Sequence, residues 1–365
     1  MRITKTLKYI LLGAVCLTAE KPLYSQKIPE PDLSFSPRHY VCYRTDHELT
    51  IDGKPDEEAW QKAPWTEAFL DVQGDKKPSP EFKTRVKMLW DNSFLYVAAE
   101  LEEPNVWATL KTRDTTIYND NNFEVFIDPD GDTQNYYEFE INALNTFWDL
   151  FMTKPYRTGG FPVSAWDIRG IKTAVYVQGT LNNPSDKDHG WSVEIALPLK
   201  VLMQSTGLKR LPKDGEQWRV DFTRVEWGVK SQDGRYQRID DQTSYWAWSP
   251  IGLVDFHYPD MYGFVQFSDH SAGSTEVSFL EKPEENAKRV LRQLFYKERA
   301  YYSDHGRYTS DLNDLNFEKK DIPAFQWPPV IETAQDFFEI SLGDSDNKIR
   351  LYIFSDGKTG RTLLK

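Results

Sequence analysis

Asn121-Asn122-Phe123-Glu124-Val125-Phe126-Ile127-Asp128, followed beyond Gly131 by Tyr136-Tyr137-Glu138-Phe139-Glu140-Ile141-Asn142, alternates apolar and polar residues twice in succession. Successive side chains of an extended chain point to opposite faces. Phe123, Val125 and Ile127 therefore share one face, and Tyr137, Phe139 and Ile141 do the same in the second run. The acidic, Gly-containing segment between the runs predicts a β-hairpin with one apolar face. Glu124 and Asn142 have the opposite parity and turn away from that face.

The same rhythm continues on both sides. Residues 84–90 and 94–101 flank Asp91-Asn92-Ser93, a polar connector of hairpin length. Further runs at 171–181, 191–197, 218–227 and 262–267 are rich in aromatic and β-branched residues, with Trp191, Val193, Ile195 and Leu197 facing inward. In the 218–227 run the apolar parity changes from Trp218, Val220 and Phe222 to Val225 and Trp227, which predicts a bulge or bend near Thr223. Many short strands and few helices predict a mainly β protein, an antiparallel β-sandwich of immunoglobulin-like or jelly-roll type over residues 40–268. Residues 269–282 contain Ser271-Ala272-Gly273-Ser274-Thr275 and read as a linker. From Pro283 onward Ala287, Val290, Leu291 and Leu294 recur at helical spacing, and Gly306 stops that helix. With a terminal hairpin over 337–342 and 349–354, residues 283–365 are expected to form a small α+β appendage.

Composition narrows the function classes. The 365 residues carry 44 Lys+Arg against 56 Asp+Glu, a net charge of −12, which argues against nucleic acid as a partner. Twelve Trp, 19 Tyr and 21 Phe fit a sandwich core, a ring-stacking surface, or both. Two cysteines are too few for a disulfide framework or a Cys-based zinc site, and Cys42 is expected to be a buried, unpaired thiol. Residues 1–25 open with Arg2, Lys5 and Lys8, continue into an apolar run from Ile10 to Leu17, and end in small or polar residues. That order predicts a signal peptide, and hence export to a periplasm, a cell surface or the medium. The apolar run is too short to span a membrane, which takes about 20 residues.

The six His show no i, i+4 pair and no neighbouring Cys, and there is no Gly-rich phosphate loop and no G-x-S-x-G elbow. Asp128-Pro129-Asp130-Gly131-Asp132 offers alternating oxygen donors around a glycine, which suits either a calcium loop without the distal Glu of an EF-hand or a plain acidic turn. A sugar presents an apolar C–H face and a rim of hydroxyls, so a site for it needs a flat ring plus carboxylates and amides. Tyr118, in the polar stretch Tyr118-Asn119-Asp120-Asn121-Asn122, is expected to be exposed, and Trp148, beside Asp149, is expected near the same face as Glu124 and Asn142.

The order Ile51-Asp52-Gly53, Trp60, Val86-Lys87-Met88-Leu89-Trp90-Asp91, Leu95-Tyr96-Val97, the hairpin above, and Gly190-Trp191 with Val193-Glu194-Ile195-Ala196 resembles the family 9 carbohydrate-binding modules over roughly residues 45–268. The resemblance implies a β-sandwich that binds sugar non-catalytically between two aromatic rings and carries calcium. Tyr118, six positions before Glu124, takes the place of the first ring and Phe256 that of the second, where the family has Trp. Glu124 and Asn142 correspond to the polar partners, Glu140 stands where the family has a basic residue, and Glu103 stands at an acidic calcium ligand. The expected partner is an oligo- or polysaccharide in a glycan-catabolic setting, with no membrane span and with the appendage free to meet a protein. Two alternatives are a glycoside hydrolase using carboxylates of that face on O-glycosyl bonds, and a protein-assembly module whose sugar site has decayed.

Overall fold

The computed structural model describes residues 27–207 and 210–364; the segment read as a signal peptide lies outside the described residues. Strands β1 (His39–Arg44), β2 (Leu70–Asp71), β3 (Thr84–Trp90), β4 (Phe94–Glu102), β5 (Asn122–Asp128), β6 (Tyr136–Asn142), β7 (Phe147–Met152), β8 (Pro162–Val163), β9 (Lys172–Gln178), β10 (Gly190–Pro198), β11 (Gln217–Gln232), β12 (Arg235–Ala247) and β13 (Gly263–Ser271) join in one sheet. Its order is β8-β7-β6-β5-β11-β13-β1-β3-β4-β10-β9, with β12 beside β11 and β2 beside β12. The sheet folds over at β1, which pairs in parallel with β13 through His39–Cys42 positions and then with β3 at Tyr43 and Arg44. The remaining described pairings of this sheet are antiparallel.

The two halves close on one apolar core. Phe123, Val125, Phe139, Ile141, Val220 and Phe222 come from one half, and Val86, Met88, Val97, Val193 and Ile195 from the other. This is the expected sandwich, mainly β, with the alternation of each strand placing apolar residues between the layers. Cys42 is fully buried in the same core, and burial holds its thiol well above the ordinary range.

The bend expected near Thr223 is not there. β11 keeps its parity through that point: Trp218, Val220, Phe222, Arg224 and Glu226 all face inward, and the register with β12 shifts only between Trp227 and Val229. The apolar pattern changes because inward position 224 is an arginine. Arg224 is fully buried, gives Nη2 to Glu226 at 2.7 Å and to Glu103 at 3.2 Å, and gives Nη1 to Thr84 Oγ1 at 3.0 Å. An ion network thus replaces hydrocarbon at this end of the core.

Described helices are few: α1 (Glu58–Lys62), α2 (Leu199–Leu202) and α3 (Pro283–His305). None is long and apolar enough to cross a membrane among the described residues. In α3 the predicted Ala287, Val290, Leu291 and Leu294 are buried, and Gly306 ends the helix in the left-handed region at φ 69°. Each fully buried leucine contributes about 1.5–3 kcal/mol. A four-stranded antiparallel sheet follows, β14 (Val330–Thr333), β15 (Phe338–Gly343), β16 (Ile349–Phe354) and β17 (Thr359–Leu363), in that order. The terminal hairpin is its centre.

Residues 272–282 lie against the sandwich. Val277 N donates to Tyr43 Oη at 3.0 Å, Leu280 N to Gln266 Oε1 at 2.8 Å, and Phe279 stacks on His39 with ring centroids 4.3 Å apart. The appendage is docked too: Phe126, Tyr136, Leu150 and Tyr262 share one apolar cluster with Ala287, Leu291, Leu294 and Phe295. Thr133 Oγ1 also donates to Gly357 O at 3.0 Å.

Candidate functional site

The outer face of β5, β6 and β7 follows from register. Glu124 lies opposite Glu140, and Glu140 opposite Trp148, so the three share the face turned away from the core. Thr223 of β11 lies opposite Glu124. Glu138 has the parity of Glu140 and joins them.

This places three carboxylates side by side with little water. Glu124 is 2% exposed and Glu140 1%. Glu124 accepts from Asn122 Nδ2 at 2.8 Å and from Thr223 Oγ1. Burial pushes its carboxyl up to about 6, against the pull of those two donors. Burial followed by repulsion from Glu124 holds the Glu138 and Glu140 carboxyls both well above the usual carboxylate range.

Above this floor stands Tyr118. Its short turn, Ile117–Asn119, is plugged into the protein by the fully buried Ile117, while the Tyr118 ring is 43% exposed. Its backbone is held on both sides. The N–H donates to Glu140 Oε2 at 2.8 Å, and the carbonyl accepts from Trp227 Nε1 at 2.8 Å. Arg238 reinforces the arm, stacked 4.3 Å over Trp227 and donating to Asn119 O at 2.9 Å. An exposed ring on a rigid backbone stacks on a ligand with little loss of side-chain entropy.

The other predicted site residues are placed as follows. Asn142 is buried, with Nδ2 donating to Leu110 O at 2.9 Å and Asp120 Oδ2 at 3.0 Å, and Oδ1 accepting from Leu144 N and Thr146 N. Its amide organises the β6–β7 turn and the loop that carries Tyr118. Trp148 is half-buried, and its Nε1 has no hydrogen-bond partner among the described residues. Phe256 is half-buried, its ring 6.1 Å from Phe126 and 6.0 Å from Tyr245.

Several residues beside this floor carry no periodic signal in the sequence. Tyr156 is 44% exposed, and burial with the charges of Glu138 and Glu140 pushes its hydroxyl up to about 12. The Tyr118 hydroxyl acts on it as well, from across the same floor. Tyr156 sits in a turn that requires glycine at Gly160, where a Cβ would lie 1.7 Å from Lys154 O. Its edge meets His257, with centroids 4.5 Å apart. Burial, with the charge of Arg157, drives the His257 imidazole down to about 3, so it is neutral; Nδ1 lies in hydrogen-bond contact with Tyr136 Oη at 2.8 Å, and Nε2 lies 3.9 Å from Glu138. Alternation alone would have found Glu138; nothing but the fold brings Tyr156 and His257 to it.

The expected metal ligands separate into two places. Glu103 pairs with Arg224 and accepts from Asn121 Nδ2 at 2.8 Å, at the start of β5. Asp128 ends β5, roughly 20 Å away at 3.3 Å per residue, so the two do not share a site. Asp128, Asp130 and Asp132 do converge, each offering an oxygen within 4.8 Å of the others. Burial and repulsion from Asp130 and Asp132 hold Asp128 well up, and burial with repulsion from Asp132 pushes Asp130 to about 6. Hard oxygen donors under mutual repulsion fit a calcium ion, with carbonyls and water to complete its 6–8 ligands. Lys358 Nζ, 3.2 Å from Asp132 Oδ2, already supplies one positive charge there.

The chain is 30% identical over 120 residues to endo-1,4-beta-xylanase C of Paenibacillus barcinonensis, which covers 33% of this chain and 10% of that enzyme, so the chain spans about a tenth of the curated relative it matches. It is similar in structure to a family 9 carbohydrate-binding module from Caldicellulosiruptor kristjanssonii in complex with cellotriose, with a TM-score of 0.42 and 15% identity over 66% of this chain and 99% of that one. The same module in complex with glucose gives 0.42 and 16% over 65% and 99%. A family model described as carbohydrate family 9 binding domain-like matches residues 51–269, well over half of the chain, and the protein belongs to that family.

Proposed function

We propose that the outer face of β5–β7 binds carbohydrate without catalysis, stacking a sugar ring on Tyr118 and Tyr156 and taking its hydroxyls on Glu124, Glu138 and Glu140. Family membership supports carbohydrate as the ligand class. The observation that carries the site is the exposed Tyr118 ring, locked through its own backbone to Glu140 and Trp227, above that carboxylate floor. Phe256 and Trp148 back the site with less exposed area, and Asn142 positions the loop that presents Tyr118. The floor holds no free cation among the described residues: the nearby Arg157 is committed to Asp260 and to His257 O, and His257 is neutral. Such a face suits neutral sugars and repels uronates.

The working context we propose is an exported glycan-catabolic protein, periplasmic, cell-surface or secreted, with calcium held by Asp128, Asp130 and Asp132. That ion would neutralise three crowded carboxylates and brace the turn on which the appendage rests.

Titration calorimetry with glucose, cellotriose and a xylo-oligosaccharide tests the reading. Binding of at least one is expected, weakened about tenfold or more by Tyr118→Ala, the order expected for loss of a stacked ring. Absence of heat with all three, or equal affinity of variant and wild type, would refute it.

A further inference from the structure

A second site lies where the appendage meets the sandwich. Arg219, on the outer face of β11 opposite Asp128, lines a cavity of about 30 Å³ together with Lys288, Arg289 and Arg292 of α3, Asp260 and Glu285. Cations outnumber carboxylates among these side chains, and both carboxylates already have partners. Asp260 pairs with Arg157 through Oδ1 and accepts from Tyr296 Oη at 2.8 Å through Oδ2. Glu285 pairs with Lys288 at 2.8 Å. Arg292 spends Nη2 on Gly357 O at 2.7 Å and Thr133 Oγ1 at 3.1 Å.

Arg219 is left short of acceptors. It gives Nη2 to Asp260 O at 2.7 Å and Nε to Pro259 O at 3.5 Å, while Nη1 has no partner among the described residues. Yet the residue is 7% exposed, with its guanidinium 4.0 Å over the Phe264 ring. Arg289, whose side chain is 10% exposed, is hardly better served: Nη1 lies 3.8 Å from Met261 Sδ, and Nη2 lies 3.9 Å from Glu30. A buried charged donor without an acceptor is among the costliest defects a fold can hold, because it has lost its water and gained nothing. Two guanidinium groups with spare N–H donors at one cavity form the complement of an oxyanion. The volume admits two or three water-sized atoms at about 10–15 Å³ each. That suits the head of a carboxylate or phosphate and excludes a sugar ring.

We propose that this cavity is an oxyanion site, receiving a carboxylate or phosphate group between Arg219 of the sandwich and Arg289 of α3 and so tying the appendage to the sandwich. It is separate from the sugar-facing carboxylates, which would repel the same group.

The test uses the full chain with a chelator present, so that calcium contributes nothing. At constant ionic strength and pH, sodium chloride is replaced stepwise by sodium acetate or sodium phosphate, and thermal midpoint and calorimetric heat are followed. A saturable rise in midpoint over chloride is expected for at least one anion. Response to acetate alone assigns a carboxylate ligand, and response to phosphate assigns a phosphorylated one. Arg289→Gln, at the partly open edge of the cavity, is expected to fold and to weaken the anion about tenfold or more. Arg219→Lys keeps the charge without the fork and is expected to weaken it similarly. No saturable response of the wild type beyond chloride, or an unchanged response in Arg289→Gln, would overturn the proposal.

Discussion

The backbone N–H of Tyr118 donates to Oε2 of Glu140 at 2.8 Å, so the exposed ring of this face is anchored on one of its buried carboxylates. Recognition and electrostatic cost thus meet in one hydrogen bond. Glu140 is crowded by Glu124 and Glu138 and is held well above its ordinary range, a penalty the fold retains where it orients Tyr118.

Replacing Glu140 should therefore separate stability from binding. Glu140→Ala removes a crowded buried carboxyl and is expected to leave stability unchanged or raise it by about 1 kcal/mol, while frees the Tyr118 turn and lowers sugar affinity about tenfold. Glu140→Gln keeps an acceptor for the Tyr118 N–H and should bind better than Glu140→Ala. Urea melts and calorimetry on the same samples decide the matter; parallel loss of both properties would show Glu140 to be structural only.

The raised carboxyl of Glu124 sets a pH dependence with a definite sign. Its proton is held more tightly in the folded chain, up to about 6, than at the ordinary value of 4.5. The stability this contributes is complete below about 4.5 and is lost as pH rises through about 6. His257 runs the other way: held down at about 3, it favours the fold above its ordinary 6.5 and ceases to do so as pH falls. Glu124→Gln isolates the first effect. Between pH 4.5 and 7.5 the variant should gain about 2 kcal/mol relative to wild type, read from urea unfolding at both pH values. A gap that does not change with pH would contradict it.

Arg224 neutralises a wholly internal pair of acids. Glu103 and Glu226 both accept from Asn121 Nδ2 and both face the Arg224 guanidinium. Arg224→Met leaves two carboxyl groups buried without a cation and should destabilise the fold by about 3–5 kcal/mol. Adding Glu103→Gln and Glu226→Gln should recover much of that loss. A triple variant no more stable than the single one would mean that arginine packing against Trp246, 5.1 Å away, matters more than charge.

Calcium should raise the thermal midpoint relative to chelator, and Asp130→Asn should abolish that rise with little effect in chelator. Asp130 offers an oxygen to the cluster while its neighbours Asp128 and Asp132 are also used by backbone N–H groups. A calcium response retained in Asp130→Asn would place the ion elsewhere.

The strands at 84–90, 122–128 and 136–142 match the alternation read from their residues, as does helix α3 with its stop at Gly306. These features are local: a period of two or 3.6 residues is written into consecutive side chains, and burial of the apolar set enforces it. The same alternation turned Glu124 and Asn142 away from the core face, and polar surroundings marked Tyr118 as exposed. Where one inward position is charged, local reading fails, as at Arg224, because its partner Glu103 lies 121 residues away.

Long-range placement was decided by tertiary structure alone. β1 turns the sheet over by pairing in parallel with two strands that no short pattern connects to it. Tyr156 and His257 reach the carboxylate face from irregular loops, and Arg219 meets Arg289 only because α3 docks on the sandwich. Periodicity determines which side of a strand a residue occupies; which residues of distant segments share the space beside it depends on how the layers close, and that information lies in packing, not in spacing.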